Sequence, residues 1–366
     1  MSACSRLGIC LLLAVAAVLP AQAQDEFDPA FEAADEAASA WRPFGEALLR
    51  GDRVTGLPQG REDLERARLR LRAGAEWSPD AFEHLVLGFA LEGAIGTGAN
   101  KHSLINNDIE KVDGAGIDQL WLRWQGGIGS LQLGKAPLPL QLSPMLWDDD
   151  LRPVGASLRW QGSVGDFNRW QLDLGGFQPD PLAERGPRLG ALQAGFHWHE
   201  GAPMSGGAML AYLDYSGLDG FARAGLGRGN TLVAGHYRDD FRLLDLQLYL
   251  RRRSGEKALE ARLDLVRNLG ADADDRGTRA SLVYGDRFNQ RGWELGWAWE
   301  RMQRNAVLAA VTADDWWFHT ASRGHMPWLG YGFEGGWSVR LAAFIETRDG
   351  LDEQTERVLL DLEKRW

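Results

Sequence analysis

Four arginines at alternate positions, Arg66, Arg68, Arg70 and Arg72, are the first residues whose type and spacing could do chemistry. At period two they fall on one side of an extended strand; a helix would scatter them round its axis. Such a ladder would attract anions or pair with acids on neighbouring strands, and the near balance of charge on the polar strand faces favours pairing. Arg123 sits on the polar face of a later strand. A second constellation is acidic. Lys135 is followed by an apolar run punctuated by Pro137, Pro139 and Pro144, then by Trp147, Asp148, Asp149, Asp150, Leu151, Arg152 and Pro153. Four prolines exclude a central strand, and the apolar residues between them ask for burial. A loop folded back into an enclosed space satisfies both. Lys135, Trp147, the acidic triplet and Arg152 would then line a constriction; an ordinary solvated loop is the alternative. Three adjacent carboxylates point in different directions, which argues against a calcium site.

Other reactive side chains make weaker patterns. His319, Ser322 and His325 lie close in sequence with Asp314 and Asp315 upstream, but no G-x-S-x-G surrounds Ser322. His197 and His199 would share one strand face and still lack a third metal ligand. There is no phosphate-binding loop, zinc spacing or dinucleotide fingerprint, so neither an enzyme nor a cofactor is expected.

The elements that would hold these residues are strands. From Arg66 to Trp77 apolar and polar residues alternate strictly, and the pattern recurs at 85–92, 119–125, 169–174, 192–199, 244–251, 259–265, 293–300 and 339–346. Segments of about 9–11 residues with one apolar and one charged face, divided by turn residues, are the signature of a transmembrane barrel. The 16 tryptophans support this, with Trp77, Trp124, Trp160, Trp198 and Trp337 near strand ends where aromatic girdles belong. The expected fold is all-β: an antiparallel up-and-down transmembrane barrel of about 16 strands, with 14 as the rival count.

The rest of the chain fits an exported protein. Of 366 residues, 1–23 read as a signal peptide: Arg6, an apolar run from Gly8 to Leu19, and an Ala21-Gln22-Ala23 cleavage site. Both cysteines lie inside it, so disulfide and thiol chemistry are excluded beyond it. Residues 24–60 read as a periplasmic leader segment, and 61–366 as the barrel with an in-folded loop near 136–155. A net charge of −11 argues against nucleic acid as a partner. In the last strand Leu360, Leu362 and Trp366 share a face, and this alternation ending on an aromatic residue is expected to be the signal read by the barrel assembly machinery.

The run Leu131-Gln132-Leu133-Gly134-Lys135 followed by Leu146-Trp147-Asp148-Asp149-Asp150-Leu151-Arg152-Pro153-Val154-Gly155 resembles a porin family of Gram-negative outer membranes, and Asn305–Asp315 is similar to another stretch of it. The resemblance spans residues 60–366. It implies an outer-membrane barrel in contact with outer-membrane lipid and lipopolysaccharide, through which small solutes diffuse passively. A homotrimer is common among 16-stranded porins, although no residue here marks a trimer face. A closed barrel with a structural or partner-binding role is the alternative.

Overall fold

A computed structural model of the chain describes residues 41–80, 82, 84–97, 114–127, 129–179, 186–289 and 291–366. Sixteen antiparallel strands close into one barrel. In chain order they are β1 (Trp41–Thr55), β2 (Leu64–Trp77), β3 (Leu85–Gly96), β4 (Gly114–Gly126), β5 (Gly129–Lys135), β6 (Val154–Val164), β7 (Asn168–Gln178), β8 (Arg188–Trp198), β9 (Met204–Ser216), β12 (Phe241–Ser254), β13 (Lys257–Asn268), β14 (Arg276–Gly285), β15 (Trp293–Met302), β16 (Ser322–Gly332), β17 (Trp337–Arg348) and β18 (Gln354–Arg365). A two-residue pair, β10 (Leu232–Val233) with β11 (His236–Tyr237), and a short helix, Asp219–Arg223, lie in the connection between β9 and β12. Each barrel strand pairs with its sequence neighbours, and β1 closes the ring against β18. Connections at one end, the turn end, run two to seven residues; those at the other, the loop end, run up to 24.

The alternation sets the two faces. On β2, Arg66, Arg68, Arg70 and Arg72 point inward and are nearly fully buried, while on β12 Leu244, Leu248 and Leu250 stand exposed on the outer face. Trp77, Trp124, Trp198 and Trp337 all fall at the turn end, where Trp41 and Trp77 stack at 5.7 Å.

The expected leader at 24–60 is corrected by this fold. Trp41–Thr55 is the first strand of the barrel, paired over its length with β2 and along Glu46–Thr55 with β18. Its pattern is hard to read because Leu48 and Val54 share the inward face with Glu46, Arg50 and Asp52, while Gly45, Ala47 and Gly51 dilute the outer one. The expected signal peptide and residues 24–40 lie outside the described residues.

Glycines serve the sheet through aromatic rings laid across them. Gly88 faces Trp121, Gly296 faces Trp328 and Gly207 faces Tyr249 on neighbouring strands. A Cβ at these glycines would stand 2.1, 2.0 and 2.3 Å from the facing ring. The Trp121 ring is further fixed by its Nε1–H donating to Gln119 at 3.0 Å and by Arg123 lying 4.7 Å from its centroid. Gly88→Val therefore displaces a ring that two other groups hold. It is expected to destabilise the barrel by about 1–3 kcal/mol, the usual cost of overpacking. The readout is the temperature at which the folded form's faster gel migration is lost; an unchanged midpoint would mean that the ring is free to move aside.

Candidate functional site

Among the described residues, three connections at the loop end fold into the barrel: 136–153, 217–240 and 303–321. Their apolar residues meet in one dry cluster. Met145, Leu146, Trp147 and Leu151 from the first pack with Phe221 and Leu226 from the second and Val307, Leu308 and Val311 from the third. The wall beside them is apolar too: Leu189, Leu213, Phe241 and Leu243 point inward. Polar clamps fix the arrangement. The Asn230 amide donates to the carbonyls of Arg304 and Val307 at 2.7 and 2.9 Å and accepts from Ala309 N–H at 2.9 Å. The Gln193 and Gln247 side chains both donate to the Gln141 carbonyl, at 2.7 and 2.8 Å. One side of the lumen is thus filled by protein, which the alternation alone did not foretell.

The other side is charged and holds a cavity among the described residues. A cavity of about 530 Å³ lies between the loops and the wall, lined by eight arginines and nine carboxylates. Each flanking loop is latched to the wall by an aspartate. Asp150 accepts from Arg72 at 3.1 Å and forms a still shorter ion pair with Arg70. Asp315 accepts from Arg50 at 2.6 Å and from Arg340 at 3.1 Å. Arg50 also forks onto Asp361 at 2.7 and 3.0 Å, the bidentate geometry that makes guanidinium–carboxylate pairs strong. A bulge adds one more acid. Ala90 pairs with Gln119 and Leu91 with Ile117, so Asp118 is the extra residue of β4. Bulges re-aim side chains, and here the carboxylate turns inward, fully buried, 3.4 Å from Arg72 and 3.6 Å from Arg152.

The residues singled out by sequence divide accordingly. Arg70, Arg72, Trp147, Asp148, Asp149, Asp150 and Arg152 line the cavity. Arg66 and Arg68 are buried in the wall beyond it; Arg66 is held by Asp52 at 2.8 Å, and Asp52 also accepts from Arg357. Arg123 donates to Gln132 at 2.7 and 2.9 Å, away from the cavity. Lys135 is corrected: it pairs in register with Leu120 on the outer face, and its ammonium donates to the Ile117 carbonyl. The three adjacent aspartates diverge. Asp148 accepts from the Asp150 and Asp314 N–H groups and ties two loops together, Asp150 meets the arginines, and Asp149 is exposed. Leu360 and Leu362 are exposed on the outer face, whereas Trp366 is buried with its ring against Gly45. Unforeseen were Glu46 and Arg50, which sit on the unrecognised strand, and the part Asp315 plays as a latch; Arg340 and Asp361 face inward as the alternation of their strands implies.

The histidines and serine do not assemble. Ser322 points inward and bonds to the Phe318 carbonyl, His325 points outward beside Trp297, and His319 meets Thr312 Oγ1 at 2.9 Å. His197 bonds to Tyr249 while His199 lies in the following turn at φ 53°.

A closed 16-stranded antiparallel barrel with loops folded into a charged lumen is a known architecture. The fold is that of a bacterial porin. The high-pH structure of Pseudomonas putida OprB is similar with a TM-score of 0.60 at 10% identity, over 89% of this chain and 94% of that one. A triple mutant of the Rhodopseudomonas blastica porin gives 0.50 at 11% identity, over 89% and 100%. No family model and no curated protein matches the sequence. At such identities the likeness is one of fold.

The porin-fold barrel's latches are electrostatically robust. Burial works to raise the Asp150 carboxyl, but Arg70 and Arg72 outweigh it and hold it well below the usual carboxylate range. Burial opposes Arg50 and Arg340 in the same way at Asp315, with the same result. Burial, reinforced by Arg228 and Arg357, pushes His319 far down, so its ring is neutral. Because the docked aspartates titrate below their undocked value near 3.9, their contribution to docking is complete above about pH 4 and is lost as pH falls through the docked values. Residues 24–366 contain no cysteine, so a nitroxide placed through Asp149→Cys reports this loop alone. Its line shape is expected to stay restricted from pH 7 to about pH 4 and to loosen only below; release at pH 5–6 would show that the latches do not hold the loop.

Proposed function

We propose that this protein is an outer-membrane porin, through which small polar or charged solutes diffuse passively along a water-filled lumen. The observation that carries the reading is the 530 Å³ charged cavity left beside the in-folded loops. Solutes are sieved there by width and by the field between Arg70, Arg72 and Arg152 on one hand and Asp149 and Asp150 on the other. The turn end faces the periplasm and the long loops face outward, as in outer-membrane barrels generally. Residues 1–23 direct export, Leu360, Leu362 and Trp366 present the terminal strand to the barrel assembly machinery, and outer-membrane lipid and lipopolysaccharide surround the barrel. A homotrimer is the assembly proposed.

The second reading is a closed barrel with a structural role, favoured by the apolar cluster that fills one side of the lumen. Planar-bilayer recording of purified protein separates them. Stable current steps support the pore; silence from folded, inserted protein supports the closed barrel.

A further inference from the structure

On five consecutive strands the outward-facing residue nearest the loop end is an arginine: Arg242 on β12, Arg267 on β13, Arg276 on β14, Arg301 on β15 and Arg323 on β16. Arg267 stands directly opposite Arg276, and Arg301 directly opposite Arg323. Cross-strand neighbours lie about 5 Å apart at Cβ, and like charges so placed repel. Carboxylates offset part of this charge, and Asp214 on β9 stands directly opposite Arg242. Asp275 is shared between Arg267 at 2.8 Å and Arg276 at 3.6 Å, and Asp349 takes Arg301 at 2.7 Å. Among the described residues no ion pair within 4 Å holds Arg242 or Arg323. Arg267 and Arg276 keep 58% and 70% of their side-chain surface exposed. Other strands break the pattern: the equivalent ends of β17 and β18 carry Thr347 and Gln354.

The belt sits at a defined height. Along β13 the outward residues between Lys257 and Arg267 are Leu259, Ala261, Leu263 and Leu265. Ten residue steps at about 3.4 Å, tilted by about 40°, give roughly 26 Å along the barrel axis. That matches the roughly 25 Å apolar band of outer-membrane barrels. Arginines at that height meet lipid head groups, and a guanidinium fork fits a phosphate with two parallel hydrogen bonds.

We propose that the loop-end face of β12–β16 is a docking surface for a phosphate-bearing glycolipid head group of the outer leaflet, whose phosphates lie between the opposed arginines. The proposal rests on reading the barrel as membrane-embedded and is independent of whether the lumen conducts.

The test uses full-length refolded protein in uncharged maltoside micelles with fluorescent bisphosphorylated lipid A as probe. The Arg276→Gln/Arg323→Gln variant is expected to bind it at least about tenfold more weakly, with gel mobility and conductance unchanged. Dephosphorylated lipid A is expected to bind the wild type as weakly. Removing turn-end charge by Arg252→Gln/Lys257→Gln is expected to leave binding intact. Equal binding of the dephosphorylated probe, undiminished binding by the first variant, or an equal loss in the turn-end variant would each overturn the proposal. So would displacement of the probe by an equal concentration of inorganic phosphate, which would make the surface a site for the free ion.

Discussion

Replacing residues 137–152 by a short glycine–serine linker is expected to raise single-channel conductance by roughly two- to fivefold, because a barrel of 16 strands leaves an aqueous channel unless something fills it. The loop fills it in two ways. Met145, Leu146, Trp147 and Leu151 make up its share of the apolar cluster, and Asp148, Asp149 and Asp150 form one side of the cavity. Removing it also strips cover from Val307, Leu308 and Val311 of the third connection. The variant should therefore show noisier, flickering steps as that connection loses its support. The wall strands keep their ladders, so insertion and gel mobility should survive. Conductance equal to the wild type would mean that the loop does not limit flow, and the constriction would have to be sought elsewhere along the lumen.

Asp150→Ala should produce the second largest change, and in two observables at once. Arg70 and Arg72 are nearly fully buried, and Asp150 is the carboxylate that both share. Removing one partner of a buried ion pair strands the other and typically costs about 3–5 kcal/mol. Asp150 keeps 19% of its side chain exposed, and Arg70 retains Glu46 at 2.7 Å, so the lower end, about 3 kcal/mol, applies here. The loop should loosen, lowering the thermal midpoint. The uncovered guanidiniums should swing the reversal potential under a salt gradient toward anion selectivity. Asp150→Asn keeps the size and loses the charge, so it should reproduce the selectivity change with less loosening. A reversal potential that moves in neither variant would remove Asp150 from the conducting path.

Much of this architecture is legible in the sequence. Period-two alternation from Arg66 onward gives the strands and the inward face of the arginine ladder, since a slip of one residue would put every leucine in the lumen. The prolines and apolar residues at 136–153 point to an in-folded loop. What stayed hidden has physical causes. The acids that pair with the ladder, Glu46 and Asp52, sit on a strand whose apolar residues fall on both faces. Asp118 reaches the lumen through a bulge, which breaks the period that identifies inward residues. Lys135 directly precedes the in-folded loop, which in the sequence groups it with the constriction; it still belongs to the strand, on the outer face, where its ammonium bonds to a backbone carbonyl. The connection at 303–321 gives no strand signal because its residues are buried by tertiary packing alone.

The closure of β1 against β18 also governs the order of events in assembly. The hydrogen bonds of Arg50 to Asp361 join residues 311 positions apart. No such contact can form until almost the whole chain has been made, and contacts this distant slow folding. On the outer-membrane reading proposed above, both β1 and β18 until then present open edges, which hydrocarbon does not tolerate. The chain must therefore be held unfolded or half-folded after synthesis, with its two ends kept from other edges, and the seam is the step at which an intermediate commits. A defect at that seam would be felt as a loss of yield before it was felt as a loss of current.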